Sequence, residues 1–174
     1  PFVQSPPTPP AAWSEDWLLR SVLRHRLPAG VLSDIESELI AMEALATGPL
    51  AQLQREDRER EPTLTLWDAW GNRIDRIEVT PLWQETQRIA ARTGLVAIPY
   101  ERRHGGWSRL HQFALVQIFH PVSDMYTCPL AMTDGAARAL LEAGHATLIE
   151  RALPHLTSRD PREFWTSGQW MTEA

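Results

Sequence analysis

The sequence predicts a mainly α-helical fold, a bundle of six or seven helices with one small β-hairpin. Two observations predict it. Apolar residues recur at helical spacing through most of the chain, between stretches punctuated by proline and glycine. Over residues 63–79 alone the period drops to two around a Gly-Asn turn. The bulk properties agree. A chain of 174 residues, 43% apolar, buries about two-thirds of its unfolded surface and is not a disordered segment. The net charge of −5, with arginine far outnumbering lysine, excludes a basic platform for nucleic acid within these residues. Cys128 is the single cysteine, so there is no disulfide framework and no thiolate metal cluster. No apolar run approaches the roughly 18 residues that span a bilayer, and no signal-peptide pattern opens the chain. The expected location is cytoplasmic.

The opening stretch PFVQSPPTPP is predicted as an extended surface arm, because proline lacks the amide donor and restricts the residue before it. Ser14, Glu15 and Asp16 mark a helix start, with acids near the positive end of the dipole. That helix carries Trp17, Leu18, Val22 and Leu23 and ends at LPAG. Ser33 and Glu36 form a capping-box pattern for the next, which carries Ile35, Leu39, Met42 and Ala46. Gly48 and Pro49 stop it. A shorter helix is expected over LAQLQREDRER, its charged end a solvated face.

TLTLW then alternates, DAWGNR turns, and IDRIEV is β-branched and half polar, which reads as a hairpin. One hairpin is too small to stand without packing on something. Thr80 and Pro81 open another helix, closed by Gly94. After the polar loop YERRHGGWS comes RLHQFALVQIF, apolar on nearly every side and therefore expected at the centre of the bundle. Pro121 should kink or divide it. Thr133 is read as the cap of the small-residue helix DGAARALLEA, closed by Gly144, and ATLIERALPHL forms the last helix.

Few residues here carry chemistry by themselves. His104 and His111 suggest a shared helix face, but no cluster of Cys, Asp or Glu accompanies them at metal-ligand spacing. Cys128 has no base beside it and reads as a small buried thiol. Asp124 and Asp134 read as turn and capping residues. Gln117, the polar residue within FALVQIF, reads as a buried amide bonded to neighbouring backbone. The eight tryptophans are scattered, as core or interface anchors are. No glycine-rich phosphate loop is present in the sequence.

The end of the chain adds a different kind of signal. AGHATLIERALPHLTS followed by GQWMTEA resembles the close of the N-terminal helical domain of acyl-CoA dehydrogenases. There a glycine ends one helix, the next runs into Leu-Pro-x-Leu, and an apolar strand delivers a Thr-Glu step. These are Gly144, Leu153-Pro154-His155-Leu156 and Met171-Thr172-Glu173. Phe2, Gln4, Pro6 and Pro7 are similar to the N-terminal arm of one branch, the adaptive-response (alkylation-response) acyl-CoA dehydrogenase-like proteins. So are Asp68, Trp70, Gly71, Arg73, Glu78, Pro81 and Trp83 across the hairpin, with Cys128-Pro129 and Met132-Thr133 later. His120-Pro121 departs from the pattern, falling where that family has a continuous helix.

The resemblance implies an orthogonal helical bundle over residues 1–165, with 166–174 opening a middle β-domain. It implies an FAD-dependent parent that oxidises an acyl-CoA to the 2,3-enoyl-CoA and passes electrons to an electron-transfer flavoprotein. Trp170, Met171 and Thr172 become the candidate cofactor contacts, because donors near the flavin ring favour its reduced, negatively charged form. Met132 and Thr133 become the candidate acyl-pocket residues. The family's general base lies in its C-terminal helical domain, so no catalytic residue is assigned here, and no metal is implied. A homo-oligomer, a tetramer by resemblance, is expected. Two alternatives stay open: an alkylation-response flavoprotein that associates with nucleic acid through its C-terminal domain and has weak dehydrogenase activity, and a free-standing helical interaction module.

Overall fold

The computed structural model describes residue 4 and residues 12–169. Of the N-terminal arm, Gln4 falls among them and is exposed, while Phe2, Pro6 and Pro7 lie outside the described residues. Helix α1, Trp17–Arg26, starts later than Ser14 suggests, because the Asp16 carboxylate is the cap, accepting from the Leu19 N–H at 2.9 Å. Ser14 serves elsewhere. Its N–H and that of Trp13 donate to Glu43 Oε1 at 2.7 and 2.6 Å, which ties the entrance of α1 to the second helix. Leu23 is buried, but Trp17, Leu18 and Val22 are exposed.

Helix α2, Ala29–Leu45, begins directly after Pro28. Ser33 and Glu36 therefore lie inside it and make no capping box. The break falls at Leu27-Pro28, since proline with its fixed φ suits a helix start and needs no N–H partner. Ile35, Leu39, Met42 and Ala46 are buried, as the spacing predicts. A π-turn over Ala46–Leu50, with Gly48 off helical geometry at φ −104° and ψ −105°, kinks the chain into α3, Ala51–Asp57. The end of α3 is not a solvated face throughout. Asp57 is buried and its Oδ2 accepts the Leu82 N–H at 2.9 Å.

The hairpin pairs β1, Thr63–Trp67, with β2, Arg73–Glu78, antiparallel. The Asp68 carboxylate organises its turn, accepting from the Trp70 and Asn72 N–H groups and the Asn72 amide, each at 2.8 Å. Between the Thr65↔Arg76 and Trp67↔Arg73 pairs the register slips, and Asp75 takes φ +44° in a β-bulge. Leu64 faces Ile77 across the ladder, yet both are exposed, as are Leu66, Trp67, Trp70 and Ile74. The apolar face of the ribbon is not covered by the described helices.

Helix α4, Pro81–Thr93, is capped by Thr80 and closed by Gly94 in the left-handed region at φ +72°. The Leu95 N–H reaches back to the Ala90 carbonyl at 3.0 Å, completing a Schellman end. The Arg159 guanidinium lies over Gly94, where a Cβ would collide with it. The short α5, Ile98–Glu101, leads through a 3-10 turn at Gly105–Trp107 to α6, Ser108–Phe119. Pro121 divides the chain as expected: α6 stops at Phe119, and a 3-10 turn, His120–Val122, follows.

Helix α7, Thr127–Ala143, begins well before Asp134, because Pro129 sits in its first turn, where proline is tolerated. Thr133 is thus an interior residue, not a cap. Gly144 ends α7 at φ +67°, and α8, Ala146–Leu156, completes the bundle. Among the described residues there are eight α-helices, including the one-turn α5. Their common core holds Leu23, Ile35, Leu39, Met42, Leu50, Leu95, Leu115, Ile118, Phe119 and Tyr126.

The α2–α6 contact contains a titratable group. His111 is 2% exposed, with Nε2 3.2 Å from Glu38 Oε2 but not aligned as a hydrogen bond. Burial pushes its pKa below the ordinary 6.5, with Arg103, His104 and Arg159 in the same direction and Glu38 opposing. Protonation therefore costs more in the folded chain than in the unfolded one. Stability should be full above pH 6.5 and fall as pH drops from there toward the lower folded value. Urea midpoints of the domain at pH 7.5 and 5.5 should differ in wild type and differ less in His111→Gln. Equal differences in the two proteins would show that His111 is not the group that titrates.

Candidate functional site

Helix α6 packs on α2 and α5, and α7 packs on α8. Between α6 and α7 the chain leaves a groove of about 400 Å³, a volume in the range of small-molecule sites. Its walls are Phe113 and Val116 from α6, Leu130, Ala131 and Gly135 from α7, and Leu95 from the corner after α4. Thr127 and Arg138 stand along α7. Phe113 is exposed, so α6 is not apolar-buried on every side; the groove takes up one of its faces.

One end of the groove is closed by a polar network. Gln112, 3% exposed, donates from Nε2 to the Leu95 carbonyl at 2.6 Å and to Asp134 Oδ2 at 3.1 Å. Arg109 donates to Gln112 Oε1 at 2.8 Å and forms an ion pair with Asp134. The Tyr100 hydroxyl donates to Asp134 Oδ1 at 2.6 Å, with the backbone carbonyl of the same residue at 2.7 Å. The Arg109 guanidinium also lies 5.7 Å from the Tyr100 ring centre, a cation–π distance. Burial, then the Asp134 carboxylate, pushes the Tyr100 hydroxyl up to about 12. It stays protonated at neutral pH and acts as a donor, not a base.

This network corrects two sequence-based expectations. Asp134 neither caps nor turns; it receives donors from α5 and α6 in the middle of α7. The buried amide of α6 is Gln112, whereas Gln117 is exposed, since only the former shares the face turned toward Leu95 and α7. The sequence did carry a signal for it. Arg109, Gln112 and Asp134 are polar residues at positions where helical spacing demands core-facing side chains. Cys128 is exposed rather than buried, because α7 turns Pro129, Leu130 and Thr133 inward. Asp124 does sit in a turn, at φ +52°.

The resemblance-derived residues fall as follows. Met132 is half-buried and does not line the groove; its neighbour Ala131 does. Thr133 is fully buried and faces away from the groove, donating to the Pro129 carbonyl at 2.6 Å and accepting the Ser167 N–H at 3.0 Å. Trp170, Met171 and Thr172 lie outside the described residues. His104 and His111 approach with ring centres 6.1 Å apart, but no group of three metal-ligating side chains occurs among the described residues. No described helix is long and apolar enough to cross a membrane.

The described residues thus form a helical bundle with an apolar groove bounded by two helices and a hydrogen-bonded polar group at one end. Residues 4–161 match the family model of the adaptive response protein AidB N-terminal domain, and the chain belongs to that family. Acyl-CoA dehydrogenase family member 11 of Caenorhabditis elegans is 35% identical over 176 residues, covering 99% of this chain and 28% of its own length. The apo form of Bd2924 superposes with a TM-score of 0.92 at 40% identity, over 99% of this chain and 34% of that one. The structure of Caenorhabditis elegans ACDH-11 in complex with C11-CoA gives 0.90 at 35% identity, over 99% and 30%. The chain thus spans about a third of the length of these relatives. The mainly helical fold with its hairpin is that of the acyl-CoA dehydrogenase relatives.

Removing the amide that joins α6 to Leu95 and Asp134 leaves a buried carbonyl without its donor. Gln112→Ala should therefore lower stability by about 1–3 kcal/mol, measured by urea unfolding. A change within 0.5 kcal/mol would show that the network is not holding the helices.

Proposed function

We propose that the chain is the N-terminal helical part of an FAD-dependent acyl-CoA dehydrogenase-like flavoprotein whose parent oxidises an acyl-CoA to the 2,3-enoyl-CoA. The observation that carries this reading is the groove between α6 and α7, on a fold shared with a protein seen in complex with C11-CoA. A saturated acyl chain offers no hydrogen bonds and is held by apolar walls that exclude water. Phe113, Val116, Leu130 and Ala131 supply such walls. The polar end is already paired within the protein, so it limits the chain's depth and does not attract a charge. Met132 and Thr133 belong to the same turn of α7, and the contact itself falls to Leu130 and Ala131.

Residues 1–165 form the helical domain in this proposal, and 166–174 open the middle β-domain. Trp170, Met171 and Thr172, which lie outside the described residues, are its cofactor contacts in this proposal, and the Thr172 hydroxyl and backbone N–H are the donors it assigns to the flavin ring. The described part of that segment, residues 166–169, is non-helical, and its Ser167 N–H donates to Thr133 Oγ1 at 3.0 Å. FAD, when bound, supplies the hydride acceptor. Transfer of electrons to an electron-transfer flavoprotein, a cytoplasmic location and assembly into a homo-oligomer complete the proposal. The uncovered Leu64 and Ile77 face supports the last. A nucleic-acid role would have to rest on other parts of the parent, because a net charge of −5 gives a polyanion no attraction here.

The full-length protein tests the reading. It should purify with a flavin spectrum that bleaches under anaerobic addition of acyl-CoA. Ala131→Trp, which places an indole in the groove, should keep the spectrum and raise KM for acyl-CoA about tenfold, the loss expected when apolar chain contacts are displaced. A flavin-free protein, or an Ala131→Trp variant with wild-type kinetics, would contradict the proposal.

A further inference from the structure

We infer that the cavity between the end of α3, the start of α4 and the turn before α7 binds a nucleotide whose base carries an amino group. This cavity holds about 440 Å³, within the range of small-molecule sites, and shares no lining residue with the α6–α7 groove. The inference therefore stands apart from the acyl reading of that groove. Its starting point is Asp57, which lines the cavity with a side chain only 2% exposed. Asp57 Oδ2 accepts the Leu82 N–H at 2.9 Å, but Oδ1 is buried with no hydrogen-bond partner among the described residues. Arg60 stands 3.6 Å from it, close enough to offset its charge and too far to donate. A buried carboxylate oxygen at a cavity, left without a donor, is a place for a donor from outside.

The charge around the cavity decides what brings that donor. Arg55, Arg58 and Arg60 all line it and outnumber its carboxylates, Asp57 and Asp124. Arg55 and Arg58 lie three residues apart on one helical turn, since Arg58 caps α3 in right-handed helical geometry. Among the described residues neither has an ion pair or a hydrogen bond. A cation is repelled by this set. A bare anion is drawn to Arg55 and Arg58 but repelled by Asp57. The ligand that satisfies both is anionic at one end and a neutral donor at the other. Between the two, Leu82, Trp83 and Met125 form an apolar, partly aromatic wall suited to a flat ring. A nucleotide with an amino-bearing base carries these features in that order: amine, ring, phosphate. Its amine reaches Asp57 Oδ1 as the Arg60 side chain, 62% exposed, turns aside, and its phosphate takes Arg55 and Arg58.

ADP is the probe, and titration calorimetry on the full-length protein is the test. Arg58→Ala removes a side chain that the described fold does not use. It should weaken ADP about tenfold, the loss of one charge-assisted hydrogen bond, with an unchanged urea midpoint. The analogue of ADP whose base amine carries two methyl groups keeps the phosphates and lacks the donor, and wild type should bind it about tenfold more weakly. Saturating acyl-CoA, which itself ends in an adenine nucleotide, should leave ADP binding unchanged, and so should FAD. No binding at about 1 mM ADP would overturn the inference, as would wild-type affinity in Arg58→Ala. Displacement by acyl-CoA or FAD would overturn a separate nucleotide site. Equal affinity for ADP and its dimethyl analogue would overturn the role of Asp57. Displacement of ADP by inorganic phosphate or an acidic peptide at equal concentration would overturn the nucleotide as occupant.

Discussion

A carboxylate placed in the middle of a helix among apolar walls must be given donors, and Asp134 imposes that requirement on the helices around it. Its partners come from α5 through Tyr100 and from α6 through Arg109 and Gln112. Gln112 in turn binds the Leu95 carbonyl, which follows the left-handed Gly94 at the end of α4. The unsatisfied alternatives each leave a buried polar atom without its partner, so these four elements are set relative to one another by directional bonds. Apolar side chains alone would let α6 and α7 close on each other. The groove exists because a polar bridge, and not interdigitated core, spans them at one end.

Helix α7 is consequently a wall with two uses. Leu130, Ala131 and Asp134 face the groove, while Thr133 turns the other way to the segment leaving α8. Small residues along α7, such as Ala131 and Gly135, keep the groove open, since longer side chains would fill it. The hairpin has an ordered turn and a bulge, but its large apolar side chains are exposed. Its turn is organised by the Asp68 hydrogen bonds, and its apolar face is not covered by the described helices.

The helices were legible where the signals were local. Thr80-Pro81, Gly94, Gly144 and Pro121 all act where they stand, because capping, left-handed closure and the missing proline amide depend on neighbours in sequence. Ser14, Ser33 and Thr133 look equally like caps, and none is one. What decides there is tertiary: Glu43 claims the Ser14 amide, Pro28 starts α2 early, and Pro129 fits the first turn of α7. The site was less legible for the same reason. Polar residues spaced along α6 and α7 were visible, but the choice of Gln112 over Gln117 depends on which face meets Leu95. Asp57 reads as part of a solvated face and Asp134 as a turn or capping residue, because their donors come from distant elements. Met132 and Thr133, to which the family resemblance points, do not line the groove, whereas their neighbours Ala131 and Asp134 do.

The central claim is that the α6–α7 groove receives an acyl chain. Its most direct test is a crystal structure of the full-length protein with a bound, non-reacting acyl-CoA analogue. The account predicts the chain between α6 and α7, in contact with Phe113, Leu130 and Ala131, ending against the Arg109–Asp134 pair. A chain bound elsewhere, with the groove filled by the protein's own residues, would contradict it.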